Sequence, residues 1–343
     1  MAKVLRLLTC LGGAALAACG GAGGPMTGSS EATTSDDPPL ETDQAKLDAG
    51  LMCTAFTHPD KPLVLLVHGT FTNGPEQYDW SYLPLLANRG FDVCTVTYPD
   101  RGLGDQQISA EYVVNALRKI HAATGRKVAM IGHSQGAGMP RWALKWWPSA
   151  REAVDDFVLE AGPNHGTTVS EPVPGQGGIP IVGEPPAFWQ FAPDSKFVAA
   201  VNRDDETPGD ISYTSLYSTT DELVQPAMPV PTAALDLGQN NPNVANINLQ
   251  AVCPGHIVDH VTIGTIDTLA FALALDAITH PGPADFQRAG GAALCAMLPI
   301  DPAALVTPQN LQAMMNILRQ DIANGPPAVS LTTSEPPLKP YAM

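Results

Sequence analysis

The sequence predicts an α/β protein with a mostly parallel central sheet and helices on both faces. Three observations carry the prediction. Strand-like and helix-like runs alternate along the chain, the order that feeds parallel strands through helical crossovers. One strand-like run, 127–131, passes through Gly132-His133-Ser134-Gln135-Gly136 into a helix-like run. The chain has 343 residues and is 44% apolar, enough for one large core rather than two.

The strand-like runs are 63–67, 91–96, 127–131, 156–161 and 211–218, rich in β-branched, aromatic and other apolar residues. The helix-like runs are 109–123, 135–147, 262–279 and 308–324. Pro148 stops the second of these. Pro140 lies inside it, removes a backbone donor and predicts a kink near Gly136. Trp146 and Trp147 are read as packing this helix on the sheet rather than as binding residues.

A Gly-X-Ser-X-Gly run between a strand and a helix is the nucleophile elbow of the α/β-hydrolase fold. The turn is strained and closely packed, so its flanking positions need glycine. It lifts the Ser134 hydroxyl to the top of the sheet and leaves the Gln135 N–H at a helix start, facing any anion there. A hydroxyl needs a base, and the base needs an orienting acid. In this fold the chain order is serine, acid, histidine.

Asp221 follows the strand-like run 211–218, where ligand-facing loops of open α/β sheets lie. Glu222 is its nearest rival; Asp204, Asp205, Asp210 and Asp236 sit in polar or proline-flanked stretches. Of eight histidines, only His256, His260 and His280 follow Asp221. His280 precedes Pro281 and reads as a helix end. His256 and His260 share one loop, and the residues alone favour His260 only slightly, since it immediately precedes the helix-like run 262–279, leaving both open as the base.

The oxyanion of an ester-cleaving reaction needs preorganised N–H donors, each contributing about 3 kcal/mol. The residue after the nucleophile, Gln135, supplies one. The loop after an early strand supplies another, which places Gly69-Thr70 there, with the Thr70 N–H and hydroxyl as donors. His68 is read as holding that loop through hydrogen bonds.

Several stretches together resemble the lipase B family of Candida antarctica, a branch of the α/β-hydrolase lipases. They are Ala49-Gly50-Leu51-Met52-Cys53, Gly69-Thr70 with Gly74-Pro75, Glu111-Tyr112-Val113-Val114-Asn115-Ala116 and Ser134-Gln135-Gly136. Leu216-Tyr217-Ser218-Thr219-Thr220-Asp221-Glu222-Leu223-Val224-Gln225-Pro226 is the most specific, and Gln250-Ala251-Val252-Cys253 with Asp259-His260 completes the set. The resemblance implies a triad of Ser134, Asp221 and His260, choosing His260 over His256, and an oxyanion hole of Thr70 and Gln135. It also implies disulfides Cys53–Cys94 and Cys253–Cys295. His133 departs from the family, which has a tryptophan there that narrows the alcohol side of the pocket. The elbow here instead resembles that of common bacterial lipases. The segment 171–203, where the family has its cover, is rich in proline and glycine. In it Phe188, Trp189 and Phe191 are candidates for apolar substrate contacts. Asn164-His165-Gly166 is read as scaffold near the acyl side.

A net charge of −16 argues against nucleic acid and polyanionic substrates. No cofactor or metal is expected, since no spacing resembles a zinc or iron–sulfur site and no phosphate loop appears. Residues 1–18 read as a signal peptide, with Lys3 and Arg6 before a short apolar stretch. Leu16-Ala17-Ala18-Cys19 resembles a bacterial lipobox, implying cleavage before Cys19 and a lipid on its sulfur; the alternative is ordinary secretion. Residues 19–48 read as a flexible tether, and 49–343 as the catalytic domain. Of six cysteines, Cys10 leaves with the signal and Cys19 takes lipid, leaving an even set of four for export-compatible disulfides.

The expectation is an exported, monomeric serine carboxylester hydrolase of lipase type, acting on lipid or other apolar esters. The alternatives are an esterase, polyesterase or acyltransferase with the same triad, and a non-catalytic surface lipoprotein that kept the fold.

Overall fold

The computed structural model describes residues 37–170, 183–297 and 329–343. The signal segment, Cys19, most of the tether, 171–182 of the cover and the helix-like run 308–324 lie outside the described residues. A seven-stranded sheet runs in the order β1-β3-β2-β4-β5-β6-β7. The strands are β1 (Leu51–Cys53), β2 (Leu63–Val67), β3 (Asp92–Val96), β4 (Val128–His133), β5 (Val154–Glu160), β6 (Ser212–Tyr217) and β7 (Val244–Asn248). Only β1 is antiparallel, pairing with β3 so that Cys53 faces Cys94. This is the α/β-hydrolase arrangement the sequence predicts.

Strand β2 shows why helices must cover both faces. All five of its side chains are buried. Leu63, Leu65 and Val67 join the core under helices Gln106–Thr124 and Pro140–Trp146. Val64 and Leu66 point to the other face, under Tyr82–Ala87 and Thr268–Thr279. A strand buried on both sides reads as continuous apolar sequence, which is why β2 is found with its predicted bounds. Trp147 is fully buried and Trp146, partly buried, packs edge-on against Trp142, as expected for packing residues.

Four expectations are corrected. The packed domain begins before residue 49: Gln44–Ala49 is a helix capped by Asp43, and Leu47 is buried. The Glu111 carboxylate accepts the Glu41 and Thr42 N–H groups, which secures this stretch of the supposed tether. The edge strands β1 and β7 were not predicted; β1 is three residues long and β7 is interrupted by asparagines. The run 262–279 is two helices, His260–Ile263 and Thr268–Thr279. Gly264 ends the first and the Asp267 side chain caps the second. The run 135–147 is likewise divided, into Gln135–Gly138 and Pro140–Trp146, where Pro140 has no N–H to return to Gly136. The two disulfides, Cys53–Cys94 and Cys253–Cys295, are present as the resemblance implied.

Candidate active site

The elbow is built by steric necessity. Ser134 follows β4 directly with φ 56° and ψ −122°, a left-handed conformation that is costly for a residue with a side chain. Its N–H is tied to the Glu160 carbonyl at 2.9 Å. A Cβ at Gly132 would stand 1.8 Å from the Gly136 carbonyl oxygen, and one at Gly136 would stand 2.1 Å from that of Val67. Only glycine fits either position. The carbonyl crowded against Gly132 is the one that Pro140 leaves without an in-helix donor.

Three chain segments meet at Ser134. His260 Nε2 lies 2.9 Å from the Ser134 Oγ, and His260 Nδ1 lies 3.0 and 3.1 Å from the Asp221 carboxylate oxygens. A carboxylate only accepts, so Nδ1 carries the proton and Nε2 offers its lone pair to the serine hydroxyl. Asp221 Oδ1 also accepts the N–H groups of Leu223 and Val224, which fixes the carboxylate. Both members of the dyad are buried, at 4% exposure each. The acid-bearing and base-bearing loops are joined directly. Ser218 Oγ donates to the Val258 carbonyl, and the Gln250 amide spans Thr219 N–H, Ser218 Oγ and the His256 carbonyl.

His256, the sequence-level rival, is engaged elsewhere. Its Nε2 lies 2.7 Å from Asp267 Oδ2, the residue that caps Thr268–Thr279. Asp236 and Glu222 are also placed outside the acid position: Asp236 accepts from Thr207 and Asn241, while Glu222 bonds the His260 main chain.

Thr70 follows β2 on the other side of Ser134. Its hydroxyl is buried and without a hydrogen-bond partner. The loop that carries it is held from behind. Gly69 N–H donates to Gln77 Oε1 at 2.9 Å, and the Tyr98 hydroxyl donates to the His68 carbonyl. His68 stacks on Tyr98, and its Nδ1 donates to the Gly69 carbonyl. Burial, with a smaller effect of Arg101, depresses the proton affinity of His68 to a pKa of about 4. It is therefore neutral and structural, as read from the sequence. Gln135 turns its side chain away, donating to the Gly102 carbonyl, and sits at the first position of its helix. A first-position N–H has no partner inside the helix.

Ser134 and His260 open into a cavity of about 720 Å³. Thr72, Gln77, Trp80 and His133 line it together with Pro163, Thr167, Phe188, Phe191 and Leu223. Exposed Phe71, Val169, Leu223 and Val261 ring its mouth. His133, Phe188 and Phe191 are among the residues that line the cavity. Trp189 does not: its indole N–H donates to the Thr332 carbonyl at 3.1 Å, bracing the cover segment against the C-terminal stretch. On a short helix, Pro186–Phe191, neighbours cannot all face one side. Asn164 and His165 bond the 232–233 stretch and Glu206, the scaffold role expected of them.

Fold and site together define an α/β-hydrolase with a serine–histidine–aspartate triad. The model of the family "Lipase (class 2)" matches residues 60–241, more than half of the chain; the protein belongs to the class 2 lipase family. Lipase B of Pseudozyma antarctica is 32% identical over 231 residues, which are 65% of this chain and 64% of that protein. The match thus spans just under two thirds of the relative's length. The crystal structure of Aspergillus fumigatus lipase B aligns with a TM-score of 0.76 at 28% identity, covering 90% of this chain and 74% of that one.

Proposed function

We propose that the protein is an exported serine carboxylester hydrolase of lipase type, acting on apolar esters through an acyl-enzyme. The observation that carries this reading is the hydrogen-bonded sequence Ser134 Oγ, His260 and Asp221 opening into an apolar-rimmed cavity. Ser134 Oγ attacks the ester carbonyl carbon while His260 Nε2 takes its proton. Asp221 stabilises the imidazolium that forms. The carbonyl oxygen becomes an oxyanion, received by the N–H groups of Gln135 and Thr70 and by the Thr70 hydroxyl. Collapse expels the alcohol, which takes the proton from His260. Water then attacks the acyl-enzyme by the same route and releases the acid.

Two measurements test this. An alkyl phosphonate is expected to label Ser134 stoichiometrically. Rates over p-nitrophenyl esters and triglycerides, from acetyl to stearoyl, are expected to show saturable hydrolysis of apolar esters. Absence of both labelling and turnover would leave the alternative of a surface protein that retained the fold.

The export reading rests on residues 1–18 and on Leu16-Ala17-Ala18-Cys19, outside the described residues. No helix among those described is long and apolar enough to cross a membrane; the attachment proposed here is a lipid on Cys19. Expressed in a bacterial host, the mature chain is expected to begin at a lipid-modified Cys19 and to partition with membranes. Cys19→Ala should abolish the modification. Mature soluble protein with an unmodified Cys19 would refute lipidation and leave simple secretion.

A further inference from the structure

His260 is gripped at both of its own main-chain groups by side chains. Glu222 Oε2 accepts the His260 N–H at 3.1 Å. His133 Nε2 lies 2.7 Å from the His260 carbonyl oxygen. A carbonyl can only accept, so Nε2 carries the proton and donates. The neutral ring then has a bare Nδ1, consistent with that atom being buried and unpartnered. The two gripping residues are chain neighbours of the other triad members: His133 precedes Ser134 and Glu222 follows Asp221. Each segment that brings a triad member therefore also brings a side chain that holds the backbone of the base.

The grip answers a local need. His260 is the first residue of a four-residue helix, His260–Ile263. A first-position N–H finds no acceptor inside its helix. The helix ends at once, at Gly264, whose N–H faces the Thr262 carbonyl. Side chains from two other segments take hydrogen bonds at both groups. The His133 ring is itself fixed, since a Cβ on Gly264 would stand 2.2 Å from it. Burial, together with the nearby His260, lowers its pKa to about 3, so it stays neutral through the working range.

We propose that His133 and Glu222 are positioning residues that hold the His260 imidazole between Ser134 and Asp221, and so set the rate of acyl transfer rather than the binding of ester. The proposal rests on the serine hydrolase reading above. Proton transfer is sensitive to small displacements of the base, so a loosened backbone lowers turnover while the substrate cavity stays intact.

Isosteric pairs separate hydrogen bonding from shape. His133→Gln keeps a donor near the Nε2 position, whereas His133→Met fills similar space without one. Glu222→Gln keeps an acceptor, and Glu222→Met removes it. With turnover counted per phosphonate-titratable site, each Met variant is expected to lose kcat by about tenfold with KM within about twofold, and each Gln variant to stay within about threefold of the parent. Equal kcat in the Met and Gln variants of both positions would overturn the proposal. So would losses that fall on KM, because a residue that only shapes the pocket acts there. Glu222 is exposed, so its pair decides alone if His133→Met yields no titratable sites. A parent that the phosphonate fails to label defeats the serine hydrolase reading. A labelled, active parent with indistinguishable Met and Gln variants defeats only the positioning role.

Discussion

Ser134→Ala is expected to lower kcat for p-nitrophenyl ester hydrolysis by about a millionfold, and His260→Ala by nearly as much, with circular dichroism unchanged. The three residues act as one unit: the hydroxyl is inert without the base, and without the hydroxyl no acyl-enzyme forms. The residual rate is that of water attack in a site that still binds ester and receives an oxyanion. His256→Ala is the decisive contrast. The two histidines are four residues apart in sequence, yet His256 pairs with Asp267 at 2.7 Å, while His260 joins Ser134 and Asp221. Removing His256 takes one partner from the buried helix cap Asp267, so the expected cost falls on thermal stability and only slightly on kcat. A His256→Ala enzyme more impaired in turnover than His260→Ala would show the base to be misassigned.

That contrast marks where the sequence was informative. The elbow was legible because its chemistry is local: a strand, two obligatory glycines and a helix occupy one short window. Strand β2 was legible because burial on both faces writes an unbroken apolar run. The choice between His256 and His260 was not legible from the residues. It depends on Asp267, a cap whose partner is fixed only once Gly264 has broken the helical run. Gly264 and Asp267 themselves were readable signals, a helix stop followed by an N-cap, masked by the strong apolar periodicity around them. β7 was hidden because its asparagines act through tertiary contacts. Asn246 bonds the Leu235 backbone through both ends of its amide, which outweighs the low strand propensity of asparagine. Residues 44–48 were read as tether because their Asp- and Thr-rich approach looks solvated. Their anchor, Glu111, lies far along the chain. The grip of His133 and Glu222 on the base has no sequence signature at all, since it consists of side chains meeting a backbone from two other segments.

Thr70→Val is expected to lower kcat by about 10²–10³ with KM little changed, the usual loss for one oxyanion donor. The structural ground is the state of a hydroxyl in the cavity wall beside Ser134. Thr70 Oγ1 is buried and has no hydrogen-bond partner, although burying an unpaired hydroxyl costs about 1–3 kcal/mol. Such a cost persists where the group is held ready for a charge that appears only during the reaction. The bracing behind it fits that role: Gln77 holds the Gly69 N–H, and His68 and Tyr98 fix the carbonyls on either side of the turn. Ground-state ester carries little charge on its carbonyl oxygen and gains little from the hydroxyl, so the loss falls on kcat rather than KM. Valine keeps the branched shape and the backbone N–H. Relieved of a buried unpaired hydroxyl, the Thr70→Val protein is also expected to be no less stable than the parent, with an equal or higher Tm. Thr72→Val, two residues on, removes a hydroxyl that makes only a long 3.4 Å contact with the Asn73 carbonyl, and is expected to be nearly silent in kcat. Steady-state kinetics and thermal melts of the two variants decide the matter. A Thr70→Val enzyme with parental kcat would show that the backbone donors of Thr70 and Gln135 suffice, and that the lone hydroxyl serves no purpose in the transition state.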